Sequence, residues 1–350
     1  MSKHFIFTFT IFSAILSVLL TVTASAQFDF AQNEPDGTRY IGGPRLGESQ
    51  TQIWRAGIIL EPQAAMENVQ INIPVPMNWW EQRIVNVNEE KMDADLASQI
   101  QYQIINGGAM EMRLQLGNVR PAKPLEIVVA FEVLNYELLP PDNPDQYVIP
   151  KRMTQEIKQY LQESPCIESR DPRFAKMFAE ITKERRTDWD KVEALYSFVQ
   201  NNVKYDEQGW QRQAKGALAV TKMPRGEWSG DCKDMSCLFV ALCRAGKVPA
   251  RIVRVPGHCY AEFYLELKQN KQTSNNNNKT LGFWFPCQVS GTYAFGGIPE
   301  KRIILQKGDS FPDPGNAKIQ ILFTRECLRG SQETGTPGPR YQWVHDAVVK

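Results

Sequence analysis

Gly230-Asp231-Cys232-Lys233-Asp234 stands directly before an apolar run, Met235 to Ala245, and its reading decides the fold. Leu238, Phe239, Ala241, Leu242 and Ala245 leave that run little polar surface, so the pattern predicts a buried central helix. Cys232 then falls in the first turn, where unpaired backbone N–H groups and the helix dipole favour a thiolate. Asp231 is the expected N-cap, and Asp234 adds the acid favoured in a first turn. A cysteine in such a place can also be a small buried hydrophobe. The flanking glycine and charges favour the reactive reading.

A thiolate nucleophile needs a base, and histidine is scarce: His4, His258 and His345 are the three in the chain. His258 opens a strand in which Cys259, Ala261, Phe263 and Leu265 alternate with His258, Tyr260, Glu262 and Tyr264. The apolar set faces the core, so Cys259 is expected to point inward. His345 lies near the end of the sequence beside no comparable pattern. A second strand, Phe283 to Val289, follows. If the two strands form a hairpin, Gln288 shares the face of His258 and reaches its far ring nitrogen. Glu262 does not, because four residues of strand span about 13 Å. Nucleophile, base and orienting group would then be Cys232, His258 and Gln288.

These segments carry a resemblance. G-D-C-K-D-x-S-x-L-x-x-A-L-C-R-A from Gly230, V-P-A-R from Val248, H-C-Y-A-E-F from His258 and W-F-P-C-Q from Trp284 resemble the transglutaminase-like superfamily. Tyr196 to Tyr205 and Gly216-Ala217-Leu218 fit the same pattern, so the likeness spans about residues 150 to 295. It implies an α+β, papain-like core, a central helix packed on an antiparallel sheet, with Cys232 as nucleophile and His258 as base. Three departures stand out. Gln288 sits where the superfamily usually has Asp, Tyr260 where Trp is common, and Gly246-Lys247 puts the helix-ending glycine one place early.

Outward from this core the texture changes. Val69 to Val75, Met110 to Leu116 and Leu125 to Val133 read as strands, which predicts an all-β sandwich over residues 51–140. Trp54, Trp79 and Trp80 read as core or interface aromatics. A proline-rich stretch, Leu138 to Pro150, marks the boundary before a catalytic domain over residues 150–350. Helices are expected at Thr154 to Gln162, Arg173 to Arg186 and Asp188 to Val203. An Asn-rich stretch, Lys268 to Lys279, reads as a surface loop between the two strands. At the other end, Lys3, an apolar run to Leu20 and Ala24-Ser25-Ala26 read as a signal peptide, residues 1–26, followed by a polar tether over residues 27–50.

Composition limits the remaining classes. The chain has 350 residues, 42% hydrophobic and 23% charged, as in ordinary globular proteins. Lys and Arg number 40 against 39 Asp and Glu; Lys3 leaves with the leader, so the mature chain is formally neutral. Nucleic-acid partners usually require a basic excess, so none is expected. No later stretch approaches the 18 apolar residues of a membrane span. Among seven cysteines there is no C-x-x-C pair, which argues against zinc, and no cofactor is implied. Cys166 and Cys327 are the expected disulfide pair. The reading is an exported cysteine acyl-transfer enzyme acting on a protein or peptide substrate of the envelope or cell surface. Its rival is a non-catalytic binding module that retains the scaffold.

Overall fold

The computed structural model describes residues 43–92, 96, 99–121, 123–268 and 281–349. The expected leader, the tether up to residue 42 and most of the Asn-rich stretch lie outside the described residues. Six strands come first: β1 (Arg45–Glu61), β2 (Met66–Val75), β3 (Gln82–Lys91), β4 (Gln101–Ile105), β5 (Ala109–Val119) and β6 (Leu125–Leu139). The tether therefore ends early, because its last six residues already belong to β1.

Next come β7 (Tyr147–Val148) and helices α1 (Gln155–Lys158), α2 (Pro172–Thr182) and α3 (Asp188–Asn202). Strand β8 (Lys204–Tyr205), helix α4 (Ala217–Lys222) and strand β9 (Ser229–Gly230) lead into helix α5 (Cys232–Ala245). Local chemistry sets these boundaries. Asp171 caps α2 ahead of a proline in its first turn, and Thr187 with Asp190 forms a capping box at the start of α3. Strands β10 (Ala250–Val255), β11 (His258–Leu267) and β12 (Gly282–Cys287) then form a meander. The chain closes with β13 (Gln306–Lys307), β14 (Phe311–Asp313), β15 (Asn316–Ile321), β16 (Cys327–Gln332) and β17 (Arg340–Val349).

Two layers make the sandwich. One is an antiparallel sheet of order β17-β1-β6-β3. The other is part of a nine-stranded sheet that runs β12-β11-β10-β13-β5-β2-β16, with β4 on β5 and β7 on β11. Ile58, Leu60, Ile71, Ile73, Met110, Met112, Phe131 and Val133 fill the space between them, and Trp54 is buried there as expected. The fold is α+β, with a β-sandwich ahead of a helix-on-sheet core. The division at residue 150 does not hold for the last strands, however. Strand β16 pairs with β2, and β17 pairs with β1 along ten residues, so the end of the expected catalytic domain completes both sandwich sheets. The edges of β1 and β2 leave backbone groups that these strands satisfy.

Helix α5 is the centre of the second half. It packs on β11 and β10 and is flanked by α2, α3 and α4. Every residue from Cys232 to Arg244 is buried. Trp189 of α3 stands edge-on to Phe263, Phe285 and Phe295, with ring centroids 5.5, 5.1 and 5.2 Å away, and this aromatic wall backs β11 and β12. Complete burial of an aromatic side chain stabilises the fold by roughly 1.5–3 kcal/mol. Gly246 does not take the left-handed conformation at the end of α5: its φ is −84°, and Lys247 adopts +64° instead. Glycine is needed at 246 for space, because a Cβ there would fall 2.0 Å from the Phe178 ring.

The seam between sandwich and core holds charges. Lys307 lies on β13, which pairs with both β10 and β5. Its Nζ is bonded to Glu81 from the sandwich and lies 2.6 Å from Glu262 of β11, which also receives Arg251 at 2.6 Å. All four side chains are at least nine-tenths buried. Lys307→Met should therefore cost about 3–5 kcal/mol in denaturant unfolding, because two buried carboxylates lose their shared cation. A loss below about 1 kcal/mol would show that the seam does not depend on this charge.

Candidate active site

The site is built on the start of α5. Asp231 has an extended backbone and its Oδ1 accepts from the N–H of Lys233 at 2.9 Å and of Asp234 at 3.1 Å. Its Oδ2 lies 2.5 Å from Lys233 Nζ. Asp234 is spent on a neighbouring loop, accepting from the N–H of Lys215 at 2.6 Å and of Gly216 at 3.4 Å. Burial pushes its carboxyl above the usual range. Glycine at 230 is a steric requirement, because a Cβ would meet that of Asp234 at 2.5 Å. The cap takes the donors of Lys233 and Asp234, and the carbonyl of Asp231 takes that of Met235. The N–H of Cys232 is the first-turn donor that this arrangement leaves.

Strand β11 delivers the base. His258 is half-buried at its first position, and its ring lies near enough to Cys232 to help lower the thiol. Its Nε2 lies 3.2 Å from Gln288 Oε1, so Nδ1 is the ring nitrogen left for sulfur. Gln288 follows directly on β12, whose register places Cys287 opposite Ala261, and it is 4% exposed. The hairpin brings His258 and Gln288 together, and the start of α5 places Cys232 on the same side. His345 lies on β17 opposite Ala56, in the sandwich sheet and outside the site.

One member was not anticipated as part of the site. Cys259 faces inward, as its strand alternation predicts, but inward here means against Cys232. Its thiol and backbone N–H are near enough to Cys232 to lower that thiol, and its Sγ donates to Ser236 Oγ at 3.9 Å. The Cys259 thiol first, then the His258 ring, hold the Cys232 thiol down to about 5 against the opposing effect of burial. Burial drives the Cys259 thiol well up, so Cys232 is the member of the pair that ionises. Cys237, Cys243 and Cys287 are likewise pushed well up by burial, as core thiols are. All seven cysteines are free, including Cys166 and Cys327. That expected disulfide is not made: Cys166 Sγ contacts the Ala214 carbonyl beside α4, whereas Cys327 pairs with Asn72 in the sandwich.

A family model for the transglutaminase-like superfamily matches residues 175–287. This segment is similar to the transglutaminase-like core. Among solved structures, a candidate cysteine protease from Cytophaga hutchinsonii shares the fold, with a TM-score of 0.54 at 15% identity over 86% of this chain and 92% of its own. The periplasmic domain of TgpA from Pseudomonas aeruginosa is similar at 11% identity and a TM-score of 0.31, over 70% of this chain and 88% of its own. No curated protein matches the sequence.

Gln288, one residue beyond the matched segment, is the hydrogen-bond partner of the His258 ring. Tyr205, on the short strand paired to Gly230, is 46% exposed and close enough to Cys232 to feel its charge, which puts it at the rim of the site. A cavity of about 770 Å³ lies elsewhere, between α2 and α3, and none of Cys232, His258 and Gln288 lines it. Among the described residues, no group of three or more His, Cys, Asp or Glu is placed to hold a metal ion.

The lowered thiol gives a pH prediction. The thiolate is the charged form, so it persists at any pH above the depressed value. Iodoacetamide labelling of Cys232 should fall to half only near pH 5, whereas an ordinary thiol does so near about 8.5. Cys259→Ala removes the thiol contribution, the largest, and keeps the backbone N–H, and should move that midpoint upward. A wild-type midpoint above about pH 8 would mean that the thiol is not activated.

Proposed function

We propose that the protein is an exported cysteine acyl-transfer enzyme that attacks a carboxamide or peptide carbonyl through Cys232. The observation that carries this reading is the His258 ring bonded to Gln288 Oε1 beside Cys232, the first residue of a buried helix, whose thiol is lowered by its neighbours. A thiolate there attacks the carbonyl carbon, and the charge moving onto the carbonyl oxygen is met by the N–H of Cys232. The C–N bond then breaks as His258 gives its proton to the departing ammonia or amine. The thioester is consumed by water, giving an acid, or by an amine, giving a new amide. In either case His258 takes the proton from the incoming group and the thiolate leaves.

Gln288 keeps the ring in place by accepting from Nε2. It adds no charge, so imidazolium is stabilised less than it would be by an adjacent carboxylate. Export rests on the leader-like start, Lys3 through Ala26. Among the described residues no helix is long and apolar enough to cross a membrane. A protein or peptide of the envelope or cell surface fits the location and the chemistry.

The reading is tested by incubating the protein with glutamine-bearing peptides and reading intact mass. Acid quenching should trap an acyl adduct on Cys232, absent in Cys232→Ser and reduced at least about a hundredfold in His258→Ala. Adding a primary amine then separates crosslinking from hydrolysis by the mass of the product. If no peptide or amide leaves an adduct and Cys232 labels no faster than a free thiol, the core is a non-catalytic module.

A further inference from the structure

The amide of Gln288 could be seated in either of two orientations, and its surroundings choose one. Its Oε1 faces His258 Nε2 at 3.2 Å. Its Nε2 lies 3.4 Å from the carbonyl of Thr292 and 3.4 Å from Glu300 Oε1. A flipped amide would set its N–H groups against the ring N–H and its oxygen against two acceptors, losing every bond at a site that is 4% exposed. Glu300 is thus the charged end of a line that runs Cys232, His258, Gln288, Glu300.

Glu300 is itself held by the sandwich. Ile298 exchanges two backbone hydrogen bonds with Leu138 of β6, at 2.9 and 2.7 Å. Gln52 of β1 donates to the Lys301 carbonyl, and Asn135 of β6 donates to the Arg302 carbonyl at 3.2 Å. Arg302 Nε lies 2.6 Å from Glu300 Oε2. The other ionisable groups around this small space are Glu81 just before β3, Tyr136 of β6 and Tyr260 of β11.

We propose that Glu300 is a positioning residue for the Cys232–His258 pair, fixing the Gln288 amide and supplying from one side chain further out the negative charge that Gln288 lacks. This rests on the acyl-transfer reading and gives the sandwich a part in it, since the sandwich holds the segment that carries Glu300. The charge acts at longer range than a directly bonded carboxylate and is partly offset by Arg302, so its effect is modest.

The test is the pH profile of iodoacetamide alkylation of Cys232 in the full chain. Glu300→Gln keeps an acceptor oxygen and removes the charge; its rate near pH 6 should fall about threefold, with the profile moved to higher pH. Glu300→Ala removes both and should lose about tenfold. Because Glu300 acts in part by fixing Gln288, Glu300→Ala should lose less rate in a Gln288→Ala background than in wild type. Arg302→Gln breaks the same ion pair but keeps the carboxylate and lifts the offset, so its rate near pH 6 should equal or exceed that of wild type. A merely structural role predicts instead that Arg302→Gln and Glu300→Ala lose rate alike. Profiles of Glu300→Gln and Glu300→Ala that superimpose on wild type, or effects of Glu300 and Gln288 that simply multiply, would overturn the proposal while leaving the acyl-transfer reading intact. A wild type in which Cys232 labels no faster than a free thiol would overturn both.

Discussion

The cap that Asp231 places on α5 is the interaction on which the rest of the site depends. A helix end that is buried must find partners for its first N–H groups, and one carboxylate oxygen serves two of them. That fixes where the helix begins, and hence that Cys232 is its first residue. Shifting the start by one residue would rotate the thiol by about 100° and carry it off the face that meets β11. Gly230 and Asp234 belong to the same constraint, because the turn before the helix is too tight for a side chain at 230.

Burial and reactivity compete at this point. Cys232 is 1% exposed, which by itself would raise its thiol, yet the effects of Cys259 and His258 outweigh desolvation. The site is therefore activated from the sheet side as well as by the helix end. The sandwich contributes at a distance. Its contact with the core combines an apolar cluster, in which Leu138 meets Val253, Val255 and Tyr260, with the Glu81–Lys307–Glu262 line and the segment 298–304.

The legible parts of the molecule were those written in short-range pattern. The apolar run of α5, the cap before it and the alternation of β11 each depend on residues a few places apart, and together they place Cys232, His258 and Gln288. What was not legible depends on partners far away in sequence. Nothing local tells that Cys327 pairs with Asn72 or that β17 lies along β1, since those registers are set by which sandwich edges remain open. Glu300 sits in an irregular segment with no periodicity to mark it. Lys307 and Glu81 are 226 residues apart, and no local pattern marks either as the other's partner. Cys259 was placed on the correct face of its strand; that this face meets a second thiol follows only from how α5 packs on the sheet.

The central claim is that Cys232 is a thiolate held by His258 at the helix start. Its most direct test is the thiolate absorbance at about 240 nm, taken as the difference between wild type and Cys232→Ser near about pH 6.5. The account predicts the absorbance of close to one thiolate per chain, greatly diminished in His258→Ala while the folded spectrum is retained. No difference between wild type and Cys232→Ser, in protein that is folded, would contradict it.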